Sequence, residues 1–492
     1  MVKKRTLFIP FDHLHRDYGI LRTANVDSDH ILMVESERMR SGRNWHPERL
    51  FFLISSARHF AEELRAEGFS VEYLKSPTTR DGILEFQRKS PTHSLHATRQ
   101  SSFRLQQTLD DLGFECVEND FFLTSRERFE EWAKSQKSYV MENFYREQRR
   151  YFDILMDNGK PVGGAWNFDK ENRLPPPKNY KWPEYKGFER DEIDSEVATE
   201  LGIPLKFTWA TTRADAHKQL QHFISHHFAN FGPYEDAMAL ESWSLHHSVI
   251  SPYINNGLLH PKEVIGAALK AFDSGKIPIE SAEGFIRQII GWREYINGMY
   301  WHLGADYRES NSLAANRSLL PLFTDSTKTD MNCVRSIVHD VEERAWVHHI
   351  PRLMVLSNLA LITGTNPQEF LEWMRERFVD ASEWVMVPNV IGMGVHADGG
   401  RMMTKPYAAG GAYISRMSEY CGGCLYNHKI RVGKDACPFT TLYWDFLDRN
   451  REIFAKNHRM FQQVNGLKRL SDLAELRERA REVLAGLDRG EI

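Results

Sequence analysis

TLFIPF at residues 6–11, HILMVE at 30–35 and SVEYLK at 70–75 are short apolar runs, and ERLFFLISSARHFAEELRAE at 48–67 lies between the last two. Within that segment Leu50, Leu53, Ile54, Ala57, Phe60, Ala61 and Leu64 recur at helical spacing until Gly68 stops them. Strand, helix and strand in this order predict a parallel, doubly wound sheet, with ECVEND at 115–120 as a further strand. No GxGxxG follows the first strand, so nothing here points to a dinucleotide site. Residues 1–130 read as one α/β domain.

Residues 131–209 break this pattern with Gly163–Gly164 and LPPPKNYKWPEYKG at 174–187, and read as an interdomain connector with a stiff proline cluster. Residues 210–492 read as a helical domain. In EGFIRQIIGWREYINGMYW, 283–301, Phe285, Ile289, Trp292, Ile296 and Met299 are expected on one face, with Gln288, Arg293 and Asn297 off it. LKRLSDLAELRERAREVLAGL at 467–487 reads as a solvated amphipathic helix closing the domain.

The chain has 492 residues, 41% hydrophobic and 26% charged, enough for two or three domains with real cores. No apolar run reaches the roughly eighteen residues of a membrane span, and MVKKRTLFIPF passes into FDHLHRDYG instead of a signal-peptide core. The expected location is the cytoplasm, with no membrane partner, as a monomer. A net charge of −4 excludes a protein that coats nucleic acid indiscriminately and leaves a local basic groove, for which Arg149, Arg150, Lys178 and Lys181 are the candidates.

Cys333, Cys421, Cys424 and Cys437 form C-x87-C-x2-C-x12-C-P, with Gly422–Gly423 freeing the turn between the central pair. Such spacing suits either a structural zinc ion or an iron–sulfur cluster. Cys116, in an apolar strand, reads as core. HHSVISPYINNGLLHP at 246–261 combines Ser248 and Ser251 with a Pro-Tyr pair and an Asn-Asn-Gly turn, a pattern that suits a phosphate site or simply a capped helix start.

At this point the chain resembles the photolyase and cryptochrome family. His247-Ser248-Val249-Ile250-Ser251-Pro252-Tyr253-Ile254 stands where the family carries T-S-x-L-S-P-Y-L, departing at its first position. Trp292-Arg293-Glu294-Tyr295 matches W-R-E-F. WVHHIPRLM at 346–354 lies where dimer-repairing photolyases have H-N-R-x-R-M and animal (6-4) photolyases have H-H-L-A-R-H. Arg352 precedes Asp380 by 28 residues, the separation of the family's flavin-flanking pair. FVDASEWVMVPNVIGMG, KPYAAGGAYISRMSEYC and the cysteine positions resemble the iron–sulfur bacterial branch.

The resemblance implies a helical FAD domain that ends in a [4Fe–4S] cluster on Cys333, Cys421, Cys424 and Cys437. Tyr234, Ser248, Ile250 and Ser251 would hold the phosphates and ribityl chain, Gln288 and Arg293 would line the flavin pocket, Arg352 and Asp380 would flank the ring, and Asn389 would face N5. It implies light-driven repair of UV-damaged DNA, single- or double-stranded. A (6-4) lesion must shift an oxygen between bases, which calls for a proton donor near neutral pH. His349 is expected to be that donor and His348 to position it, while Leu353 replaces the third histidine of the animal motif. Trp373 is the expected first electron step, with Tyr413 and Trp384 as neighbours, and Asp325 and Met374 stand where relatives often have aromatics. A lumazine antenna stays open, because Phe11-Asp12-His13-Leu14 replaces G-D-Q-L and Met39 and Leu53 fall where a pocket wall is expected. Two other readings stand beside repair: a cryptochrome-like blue-light photoreceptor on the same fold, and a non-flavin iron–sulfur DNA-binding or priming subunit.

Overall fold

In a computed structural model, which describes residues 4–206 and 208–492, five parallel strands form one sheet. They are β1 (Arg5–Phe8), β2 (Asp29–Ser36), β3 (Ser70–Ser76), β4 (Ser94–Thr98) and β5 (Glu115–Val117), in the order β3-β2-β1-β4-β5. Leu7 pairs with Ile31 and Phe8 with Leu32 across β1 and β2. Because alternate residues face opposite sides, Leu7, Ile31 and Met33 pack into one core while Phe8, Leu32 and Val34 pack into another. The helix α1 (Pro47–Ala66) covers the first face, started by His46 and Pro47 and followed by Gly68 at φ 97°. Strand β4, SLHAT, is the element that sequence reading misses: its serine, histidine and threonine hide the apolar period.

The stretch read as a broken connector is more ordered than its composition predicts. It contains α2 (Met141–Phe152) and α3 (Glu192–Leu201), and in α2 Phe144 and Tyr145 are buried. Arg149 on α2 corrects an expectation. It is fully buried, and its guanidinium donates to the carbonyls of Ile154, Leu155 and Trp166, so it braces the connector and cannot line a DNA groove. Arg150, Lys178 and Lys181 are exposed.

The helical domain departs from regular helix at three places, residues Arg287–Arg293, Pro351–Ser357 and Pro388–Gly394, each wound as a π-helix. A wide turn rotates everything after it. Phe285 and Ile289 therefore pack into the core shared with the sheet, whereas Ile296 and Met299 join the main helical core, and the single face expected for 283–301 is split. Helix α1 also reaches this domain. The Arg49 guanidinium donates to the carbonyls of Phe378 and Val379 at 2.9 and 3.1 Å and of Ala381 at 2.9 Å, clamping the turn that carries Asp380. Among the described residues no helix is long and apolar enough to cross a membrane.

Candidate functional site

The three π-helical turns carry Gln288 and Arg293, Arg352, and Asn389 respectively, which are four of the residues expected around a planar cofactor. π-Turns recur at functional sites because they re-aim side chains that an α-helix would hold elsewhere. Arg352 donates from both terminal nitrogens to Asp380, at 2.9 and 3.0 Å, and from Nε to the Val347 carbonyl at 2.7 Å. Ser251 Oγ donates to Asp380 Oδ2 at 2.6 Å, and Asn255 Nδ2 donates to the Asp380 carbonyl at 2.9 Å. Ser251, Arg352 and Asp380 thus form one bonded group. The turn before Ser251 holds Val249 at φ 55°, a conformation costly for a β-branched side chain. That cost brings the backbone of Ser248 and Ile250 up to the start of the short helix Ser251–Asn256.

The other expected residues spread around this group. Gln288 Nε2 donates to Glu235 Oε1 at 2.6 Å and to the Gly284 carbonyl at 3.1 Å, which leaves its carbonyl oxygen as the free end. Burial pushes the Glu235 carboxyl up to about 7, against the pull of Arg287 and His349 and the Asn172 amide. The Arg293 guanidinium lies over the Phe122 ring at 4.2 Å and the Trp384 ring at 5.1 Å, and pairs with Glu294 at 2.9 Å. Asn389 donates to the Val385 carbonyl one turn back. Tyr234 packs with Tyr180, Trp182 and His246 in an aromatic cluster of its own.

His349 is 46% exposed, and its Nε2 lies 3.5 Å from Asp236 Oδ1, with Arg173 behind at 3.7 Å from Asp236 Oδ2. His348 is buried and stacks on His247, ring centroids 4.2 Å apart at 21°. Burial, helped by the neighbouring rings, holds both His247 and His348 well below the usual imidazole range, so both are neutral at pH 7. His349 alone of the three is open to solvent and faces a carboxylate. Sequence reading misses His247, Asp236 and Arg173. The signal for His247 is its departure from the family's first motif position; nothing marks the other two.

Trp373 is buried against Phe323, Phe370 and Phe378, and Phe378 in turn lies 4.2 Å from the Arg352 guanidinium. Trp384 packs on Phe122. Tyr413 packs against the same helical core as Trp373 and Trp384, and its phenol feels the charges of Asp236, Arg416 and Arg173 on the His349 side. Tyr407, whose phenol feels Arg173, Asp169 and Asp236, stands there too and is missed by sequence.

Cys333, at the start of helix Asn332–Arg344, lines one apolar pocket with Cys421, Cys424 and Cys437. All four thiols are free. A Cβ on Gly411 would meet Cys437 Sγ at 2.8 Å, so this cradle accepts only glycine. Among the described residues no three of these sulfurs lie within 4.8 Å of one another. One tetrahedral ion with metal–sulfur bonds of about 2.3 Å would draw them closer than that.

In the α/β domain His13 is buried, stacks on Phe121 at 4.6 Å and shares a hydrogen bond with Ser101 at 3.2 Å, beyond the carboxyl ends of β1 and β4. Leu14 is buried. Met39 and Leu53 pack against two different cores.

The sequence profile of deoxyribodipyrimidine photo-lyase-related proteins matches residues 7–203. A (6-4) photolyase of Agrobacterium fabrum is 41% identical over 499 aligned positions, covering 97% of this chain and 98% of that one. The chain belongs to the photolyase and cryptochrome family, on its (6-4) photolyase branch. Two solved structures share the fold of this photolyase: a bacterial class III photolyase from Agrobacterium tumefaciens, TM-score 0.57 at 16% identity over 99% of both chains, and a cryptochrome from Synechocystis, TM-score 0.55 at 14% identity over 84% of this chain and 88% of the other. Membership in the family implies FAD.

Proposed function

We propose that this chain repairs (6-4) pyrimidine photoproducts in DNA under blue light, with FAD held at the Ser251, Arg352 and Asp380 group. The observation that carries this reading is the exposed His349 set against Asp236 and flanked by the neutral His247–His348 stack, in a chain aligned end to end with a (6-4) photolyase. Reduced FAD supplies, when bound and excited, the electron that opens the lesion.

This chain's residues supply the rest. Arg352 and Asp380, mutually saturated and clamped by Arg49, form a rigid polar edge for the flavin, while Gln288 offers a carbonyl and Phe122 with Trp384 walls off Arg293 from water. Asp236 lies within ion-pair distance of His349 Nε2 and aims that ring, leaving Nδ1 to serve the lesion. Tyr407, Tyr413 and Arg173 border the same opening. Photolyases are among the standard cases of base flipping, and a distorted lesion needs less unstacking than normal bases. Exposed Arg150, Lys178 and Lys181 are the remaining candidates for phosphate contacts.

The four cysteines fit a [4Fe–4S] cluster better than zinc on two grounds: the spacing of their sulfurs and an apolar cradle that keeps water out. Gly411→Val is expected to abolish cluster loading, read as iron content and visible absorption near the flavin bands; full iron content would contradict the assignment. A lumazine antenna has less support, because His13 with Phe121 occupies the ground beyond β1. The photoreceptor reading shares every flavin contact but leaves the placement of His349 and Asp236 without a use. Purified reduced protein, illuminated with DNA carrying (6-4) lesions, decides between them.

A further inference from the structure

Glu235 is a buried carboxyl whose two oxygens each accept from a side-chain amide: Oε1 from Gln288 Nε2 at 2.6 Å, Oε2 from Asn172 Nδ2 at 3.0 Å. Asn172 belongs to the connector and is itself buried. A Cβ on Gly284 would meet Asn172 Nδ2 at 2.7 Å and Glu235 Oε2 at 3.1 Å, so the helix gives this network room only by carrying glycine there. The Gln288 nitrogen also donates to the Gly284 carbonyl at 3.1 Å. A carboxylate and a carbonyl both accept, so the reversed amide would set its oxygen against two acceptors. The Gln288 carbonyl oxygen is therefore held away from Glu235, and among the described residues it takes no hydrogen bond. Gln288 is half-buried, and the adjoining Asp236 stands 3.5 Å from His349 Nε2, so this free acceptor borders the opening on which His349 lies.

We propose that Glu235 is a positioning residue for lesion choice, fixing the Gln288 amide so that its carbonyl meets a hydroxyl donor on the lesion. The inference rests on the (6-4) repair reading above. In a (6-4) lesion the 5′ base carries a hydroxyl on C5, the oxygen that repair must return. A cyclobutane dimer has no hydroxyl and offers carbonyl oxygens along its base edges. A fixed acceptor attracts the first and repels the second, whereas an amide free to turn would serve both. Glu235 touches neither lesion nor flavin in this scheme and acts only through Gln288.

The test measures binding of flavin-loaded protein, in darkness, to oligonucleotides bearing a (6-4) lesion, a cyclobutane dimer or no damage. Glu235→Leu is expected to weaken affinity for the (6-4) oligonucleotide by about tenfold, with flavin content and affinity for undamaged DNA at the parent level. Glu235→Gln, which keeps an oxygen for Gln288 to donate to, is expected to restore most of that affinity. At saturating lesion the single-turnover repair rate of Glu235→Leu is expected to stay close to the parent's, placing the loss in binding. In a Gln288→Leu background, Glu235→Leu is expected to cost nothing further, because the group that it aims is gone. Additive losses in that cycle, or parent affinity in Glu235→Leu, overturn the assignment and leave Glu235 as an anchor for the connector. Should Glu235→Leu fail to fold, Gln288→Leu alone carries the test, and an unchanged preference for the (6-4) lesion over the dimer overturns the proposal. A parent protein that binds the (6-4) oligonucleotide no better than undamaged DNA overturns the repair reading as well.

Discussion

Replacing His349 by asparagine is expected to lower repair of (6-4) lesions by about 100-fold or more, the usual contribution of a positioned acid or base, while flavin content stays at the parent level. The reason is local. His247 and His348 are buried and held neutral by that burial, so neither can arrive carrying the proton that the oxygen shift requires. His349 is the exposed member of the trio and the one facing Asp236. Asparagine preserves size and hydrogen bonding but cannot deliver a proton at neutral pH. Single-turnover repair of a defined (6-4) oligonucleotide measures this, with flavin absorbance as the control; repair within a few-fold of the parent would remove His349 from the chemistry.

Asp380→Ala is expected to yield a protein that neither holds flavin nor keeps its thermal stability. Asp380 accepts from Ser251 Oγ and from both terminal nitrogens of Arg352, and the pair is mostly shielded from solvent. Removing one partner of a buried pair strands the other's charge, at a cost of about 3 kcal/mol or more. It also frees Ser251. Flavin-to-protein ratio after purification and the unfolding midpoint read the two effects separately. A variant with parent flavin content would show that the bonded group is structural only.

Much of this molecule was legible from residue pattern. The β-α-β period at 6–75 led to the parallel sheet because Leu, Ile, Val and Phe dominate those strands, while β4 escaped because SLHAT buries its face with few apolar side chains. The cysteine set was visible as spacing, which alone left zinc and cluster open, and the choice of cluster came from the resemblance to the iron–sulfur branch. Arg352 and Asp380 were legible through a motif, and the structure pairs them with each other. What pattern could not show was the effect of the π-turns, which leave no compositional mark yet split the stripe at 283–301 and aim Gln288, Arg352 and Asn389. Contacts between distant segments were equally hidden: His247 reaches His348 across about a hundred positions of sequence, and Arg149 turned inward to backbone carbonyls.

This family member acts on (6-4) lesions. The most direct measurement incubates purified, chemically reduced protein with two oligonucleotides, one bearing a (6-4) lesion and one a cyclobutane dimer, in darkness and under blue light. Light-dependent restoration of the (6-4) substrate alone is the predicted result; rapid repair of the dimer with the (6-4) substrate untouched would contradict it.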